Sequence, residues 1–328
     1  MTDSLATTRR SDLGPIDPDR VRGAFIGLAV GDALGTTLEF APPGSFDPIR
    51  DMQGGGPFGL PPGAWTDDTA MAACLAESLI ETGGFDPADQ LRRYLRWYRT
   101  GHWSSTGSCF DIGGTTRAAL EAFEVTGDPA SGRSEPYAAG NGSLMRLAPV
   151  PIVHARDPHE AVRLSGESSR TTHALPECVD ACRYCGALLV GAVRGEPKQR
   201  LIATRYELLA GLWDEPLHAA VDEVAAGSFA RKQPPEIRGG GYVVKSLEAA
   251  LWAFANTDDF RGAVLAAANL GDDADTTAAI TGQIAGAHYG LAAIPAAWRE
   301  RLALADRLAV LADGLVALAV HDHPPEGH

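Results

Sequence analysis

No apolar run in this sequence is long enough to cross a bilayer as a helix, and Met1 to Arg10 lacks the apolar core of a secretory signal. Basic residues are outnumbered: 28 Lys and Arg stand against 42 Asp and Glu, a net charge of −14, so no basic face for nucleic acid or anionic lipid is expected. Cysteine is scarce, and Cys74, Cys109, Cys178, Cys182 and Cys185 form an odd set with no secreted-type framework. Runs of alternating β-branched residues are nearly absent, which leaves little from which to build a sheet. These absences point to a cytoplasmic protein without membrane contact. An acidic chain can still bind an anionic ligand where helix N-termini or metal ions make the potential locally positive.

What remains is a chain of 328 residues, 45% hydrophobic, ample for a sizeable core. Ala-rich segments with a 3.6-residue period dominate, so the expected fold is all-α. With no linker-like break, one domain over residues 15–320 is expected, flanked by a disordered tail at 1–14 and a polar tail at 321–328. Asp17-Pro18-Asp19 starts a helix through Asp32 whose glycines predict close helix packing, with Asp32 or Glu39 able to face a site. Further helices are expected over 66–82, 91–99, 118–123, 158–169, 176–193, 198–210, 216–225, 243–255, 259–269, 275–290 and 296–320. Long Gly- and Pro-rich loops at 42–63, 101–116 and 126–143 are of the size usually kept for function.

Two acidic clusters stand out. Gly271-Asp272-Asp273-Ala274-Asp275-Thr276-Thr277 and Trp65-Thr66-Asp67-Asp68-Thr69 each open directly into an Ala-rich segment, as helix starts do. One capping residue suffices for a helix, and both clusters carry several. Crowded carboxylates repel unless protons or cations neutralise them. Either the clusters meet and share divalent ions on oxygen ligands suited to Mg²⁺ or Mn²⁺, or they are two acid-rich caps that never meet. Cys178, Cys182 and Cys185 share a helix face at i, i+4, i+7, but one straight helix cannot supply tetrahedral zinc geometry, and core packing is the expected role.

In order along the chain, Gly31-Asp32-Ala33-Leu34-Gly35 with Glu39, Thr66-Asp67-Asp68-Thr69, Gly140-Asn141-Gly142-Ser143-Leu144-Met145-Arg146, Thr172-His173 and Gly271-Asp272-Asp273-Ala274-Asp275-Thr276 resemble the ADP-ribosylglycohydrolase family. The resemblance spans about residue 20 to about residue 290. It implies a compact orthogonal helix bundle whose long loops surround a site for two divalent cations, Mg²⁺ or Mn²⁺. By position it implies metal ligation by Thr66, Asp67 and Asp68 on one side and by Asp273, Asp275 and Thr276 on the other. Asp272 is left as a cap or surface charge.

The same resemblance implies that Glu39 lies over the substrate ribose and that Asp111, in Phe110-Asp111-Ile112-Gly113, is a candidate general base. Asp67, Asp68, Asp111 and Glu39 are thus the implied catalytic group. Gly113, Asn141, Gly142, Ser143, Arg146, His173 and Tyr242 are implied substrate-binding residues: Asn141, Gly142 and Ser143 on the diphosphate and distal ribose, and Tyr242 placed to stack on adenine. Arg146 could equally brace its loop. The implied reaction is metal-dependent hydrolysis of the bond between ADP-ribose and an acceptor, an arginine on an ADP-ribosylated protein or a small ADP-ribosyl compound, releasing ADP-ribose. Serine-linked ADP-ribose, poly(ADP-ribose) and a non-catalytic ADP-ribose binder stand as alternatives.

Overall fold

Asp17 begins the first helix by accepting a hydrogen bond from Asp19 N at 2.9 Å, and Pro18 follows at N1, where a backbone N–H would be unpaired anyway. The computed structural model describes residues 13–206 and 216–320. Its helices are α1 (Pro18–Gly35), α2 (Asp67–Thr82), α3 (Pro87–Thr100), α4 (Gly114–Thr126), α5 (Pro149–Val153), α6 (Pro158–Arg170), α7 (Pro176–Val193) and α8 (Lys198–Leu201). Then come α9 (Ala219–Ala225), α10 (Ser228–Arg231), α11 (Val243–Ala255), α12 (Phe260–Ala268), α13 (Ala274–Tyr289), α14 (Ala296–Arg301) and α15 (Ala305–Val320). The described residues contain no strand, only isolated bridges such as Gly140 with Tyr242, so the fold is all-α. The main apolar core draws on residues from Val21 to Ala319. Among the described residues no helix is long and apolar enough to cross a membrane.

The centre of the bundle is the pair α1 and α13, and glycine explains it. Gly23, Gly27, Gly31 and Gly35 recur every four residues and so line one face of α1. A Cβ at Gly23 would stand 2.3 Å from Gly286 O, and one at Gly27 2.3 Å from Gly282 O. At Gly31 it would stand 2.1 Å from Ala278 O, and at Gly35 2.4 Å from Ala274 O. Residue numbers rise on one helix as they fall on the other, so the two run antiparallel, backbone against backbone. This brings the C-terminal end of α1, with Asp32, onto the N-terminal end of α13, with Asp275.

Several expected boundaries move. The helix expected over 198–210 is only Lys198–Leu201, and 207–210 lie outside the described residues, as do 1–12 and 321–328 of the expected tails. The helix expected over 296–320 is two, α14 and α15, parted at Leu302–Leu304, where Leu304 takes a left-handed φ of 49°. The cause is the incoming 42–63 loop: Ala303 N donates to Gly63 O at 2.9 Å, and a Cβ at Gly63 would stand 1.9 Å from Arg301 O. Helix α3 starts at Pro87 rather than Leu91, because Asp86 accepts from Ala88 N and Asp89 N. The short helices α5 and α10 have too few turns to show a period.

Candidate metal centre

The start of α2 is held by a side chain from another helix. Thr66 is its N-cap by position but makes no side-chain capping bond. Asp32 does that work, accepting from Thr66 N at 3.0 Å, Thr66 Oγ1 at 3.0 Å, Thr69 N at 2.9 Å and Thr69 Oγ1 at 2.6 Å. The start of α13 follows the same plan. Glu39 Oε2, from the turn after α1, accepts from Ala274 N at 2.8 Å and Asp275 N at 3.3 Å. Two helix N-termini therefore point their positive ends at two buried carboxylates, Asp32 and Glu39.

The acidic clusters meet. Carboxylate oxygens of Asp32, Asp68 and Asp275 lie within 4.8 Å of one another, and so do those of Glu39, Asp273 and Asp275. Thr66 Oγ1 is 3.2 Å from both Asp68 Oδ2 and Asp275 Oδ2, tying two segments 209 residues apart. Asp32, whose role the sequence left open, belongs to the first trio. Its signals were its place in the Gly31-Asp32-Ala33-Leu34-Gly35 motif and a charge inside a helix whose neighbours Val30 to Leu34 are otherwise apolar or glycine.

Burial pushes the pKa of Asp67, Asp68 and Asp275 well above the usual carboxylate range, and the carboxylates around each push further. Burial also raises Asp273. For the same leading reason Asp32 rises to about 6, Glu39 to about 7 and Asp111 to about 8. Asp68 Oδ1 is buried without a hydrogen-bond partner. An orphaned carboxylate oxygen beside carboxylates that repel one another fits a metal ion, which would supply the missing counter-charge. This arrangement could hold a metal ion.

A pH dependence follows. Folded pKa values above unfolded ones favour the metal-free fold most below the ordinary carboxylate range near about 4. That contribution is lost as pH rises through about 6, 7 and 8 for Asp32, Glu39 and Asp111. Chelated protein should therefore lose melting temperature across this range while protein in Mg²⁺ holds it, with a gap of roughly 5 °C at the alkaline end. Calorimetric melts with and without chelator check this, and a gap independent of pH would count against it.

A cavity of about 420 Å³ opens over the cluster, lined by Glu39, Phe40, Asp67, Asp111, Asp273, Asp275 and Thr276 together with Gly113, Asn141, Gly142 and His173. A larger hollow of about 610 Å³ beside Phe85, Glu160 and Arg170 holds none of the cluster, so the carboxylates are reached from the smaller one. Gly113 is the N-cap of α4, which has no side-chain cap, and residues 113–116 line the cavity. Amides at such a terminus favour an anion.

The loop residues divide. Asn141 Nδ2 donates to Asp273 Oδ2 at 2.8 Å and to Ser246 Oγ at 2.9 Å, so its side chain steadies the cluster. Gly142 has little room, since a Cβ there would stand 2.9 Å from His173 Cε1. His173 lines the cavity with Nδ1 2.8 Å from Thr172 Oγ1, its pKa lowered to about 3 by burial and then by Arg146, so the ring is neutral.

Ser143 and Arg146 do not line the cavity. Ser143 is buried beneath it, its Oγ bonded with Ser169 Oγ at 2.8 Å. Arg146, fully buried, donates to Gly142 O at 3.0 Å and Thr172 Oγ1 at 2.7 Å and lies 4.5 Å over the Tyr94 ring, bracing the loop from below. Tyr242 is partly exposed and outside the cavity lining. Asp272 pairs with Arg238 at 3.0 Å, as a surface charge does. Cys178, Cys182 and Cys185 are buried in the core.

A family model for ADP-ribosylglycohydrolase matches residues 14–325. The chain is 44% identical to ADP-ribosylarginine hydrolase Tri1 of Serratia proteamaculans (strain 568), over 92% of this chain and 80% of that protein. It is 32% identical to ADP-ribosyl-[dinitrogen reductase] glycohydrolase of Rhodospirillum rubrum, over 88% of this chain and 92% of the relative. A solved structure described as an ADP-ribosylglycohydrolase-related protein complex superposes with a TM-score of 0.81 at 46% identity, covering 92% of this chain and 99% of that one. With all-α architecture, paired acidic trios and a match over nearly its whole length, this chain belongs to the ADP-ribosylglycohydrolase family.

Proposed function

We propose that the protein hydrolyses the glycosidic bond between ADP-ribose and an acceptor, preferring arginine-linked ADP-ribose on protein, and releases ADP-ribose. The observation that carries this reading is one cavity lined by Glu39, Asp273 and Asp275, the last of which also belongs to the buried trio with Asp32 and Asp68, and by an uncapped helix N-terminus at Gly113. The relatives named for ADP-ribosylarginine and for ADP-ribosyl-[dinitrogen reductase] support the substrate class.

In this reading Asp32, Asp68 and Asp275 would hold one divalent cation and Glu39 and Asp273, with Asp275, would hold a second, Thr66, Asp67 and Thr276 lying beside them. All donors are hard oxygens, which suits Mg²⁺ or Mn²⁺. When bound, such ions supply Lewis acidity and help ionise water near neutral pH. The backbone of Gly113 and Gly142 faces the diphosphate, and His173 packs against the adenosine side. Water oxygen bonds to the anomeric carbon of the ribose as the carbon–nitrogen bond breaks. Asp111 takes a proton from that water and returns one to the leaving nitrogen. The remaining carboxylates keep the region electronegative around the oxocarbenium-like sugar.

The test is to incubate ADP-ribosyl-arginine with protein and Mg²⁺ or Mn²⁺ and to identify products by mass. ADP-ribose and arginine are expected. AMP with ribose phosphate would instead mean a phosphohydrolase, and measurable ADP-ribose affinity without product would mean a binder; either result sinks the proposal.

A further inference from the structure

Phe40 presents a bulky aromatic side chain where packing gives no reason for one. It is 63% exposed and lines the cavity directly after Glu39. Its backbone sits at φ 59°, a left-handed conformation that is unfavourable for a large side chain. Two hydrogen bonds hold it there: Phe40 N donates to Asp272 O at 2.7 Å, and Asp272 N donates to Ala41 O at 2.8 Å. The ring is also braced. Phe58 meets it edge-on with centroids 6.2 Å apart, and Phe110 meets Phe58 at 5.4 Å. Phe110 directly precedes Asp111, itself at φ 60°. A row of three rings thus bridges the two segments that carry Glu39 and Asp111, and its cavity end is the exposed ring.

We propose that Phe40 determines acceptor specificity: its ring is the platform on which the planar guanidinium of an arginine acceptor rests, at the cavity mouth beside Asp111. This rests on the hydrolase reading above. An aromatic face attracts a guanidinium by charge–quadrupole interaction and stacking. A neutral, oxygen-linked acceptor such as serine gains nothing from that face. The product ADP-ribose carries no acceptor and so does not touch it. The strained, braced backbone keeps the ring in place before substrate arrives, which reduces the ordering required on binding.

Phe40→Asn tests this, since Asn tolerates the left-handed backbone but has no aromatic face. Phe40→Trp retains the face. With ADP-ribosyl-arginine and Mg²⁺, Phe40→Asn should raise KM about tenfold with kcat little changed, and Phe40→Trp should stay near wild type. The affinity of Phe40→Asn for ADP-ribose, measured by titration calorimetry, should stay within about twofold of wild type. An unchanged KM in Phe40→Asn, an equal loss of ADP-ribose affinity, or failure of Phe40→Trp to restore KM would each overturn the assignment. Wild-type protein that releases no ADP-ribose would instead remove the hydrolase reading, and the Phe40 assignment with it.

Discussion

Asp275→Asn should abolish divalent-cation binding and lower kcat by roughly three orders of magnitude. Asp275 belongs to both carboxylate trios and is only 2% exposed, so no solvent-borne group can replace its charge. Asn matches its shape and still accepts from Thr276 N, now 2.7 Å from Asp275 Oδ1, so the turn into α13 should persist. The same change should act oppositely on stability. The carboxylate is raised well above its ordinary range by burial and by Glu39 and Asp68, so the ionised form is strained in the metal-free fold. In chelator at mildly alkaline pH, Asp275→Asn should melt above chelated wild type, although it gains nothing from added Mn²⁺. Manganese titration and paired melts check both halves. Wild-type turnover or wild-type Mn²⁺ affinity in the variant would end the assignment of this residue.

Gly31→Ala should destabilise the fold by ~3 kcal/mol and weaken cation binding at least about tenfold. Helix propensity alone predicts the opposite sign, since Ala in place of an interior helical Gly is favourable by about 1 kcal/mol. The added carbon, however, would lie 2.1 Å from Ala278 O and 2.9 Å from Ala279 N. Those are backbone atoms of α13 and cannot rotate aside, so the helices must separate, carrying Asp32 away from Asp275. Gly84→Ala is the control: nothing lies within 4 Å of its added carbon. Denaturant unfolding of both variants, with Mn²⁺ titration of the first, checks this. A Gly31→Ala protein as stable as wild type would mean that the two helices are not held at backbone contact.

What could be read from the sequence followed residue chemistry. Apolar periodicity located α2 as 66–82 against the observed Asp67–Thr82, and the glycines of α1 marked close packing without naming α13 as the partner. The meeting of the two acidic clusters, seen in Thr66 and Asp68 against Asp275, was one of two readings that crowded charge allowed, and the family resemblance favoured it. What stayed hidden depended on long-range partners. Asp32 and Glu39 cap helices whose starts lie 34 and 235 residues further along the chain, and no local pattern predicts a cap from so far away. Asn141 reads as a substrate contact with no sign of its bond to Asp273, and Arg146 reads equally as ligand contact or loop brace until Tyr94 and Thr172 enclose it. The break at Leu302–Leu304 required the 42–63 loop to arrive from the other end of the sequence.

The pairing of α1 with α13 also bears on biosynthesis. The ribosome releases Pro18–Gly35 long before the helix that must lie on it, Ala274–Tyr289. Until that helix emerges, the nascent chain holds a glycine-lined surface without its native partner, a state exposed to mispairing. A fragment that stops before Ala274 lacks Asp275 and the whole of α13, so truncation abolishes the centre outright instead of leaving a weakened one.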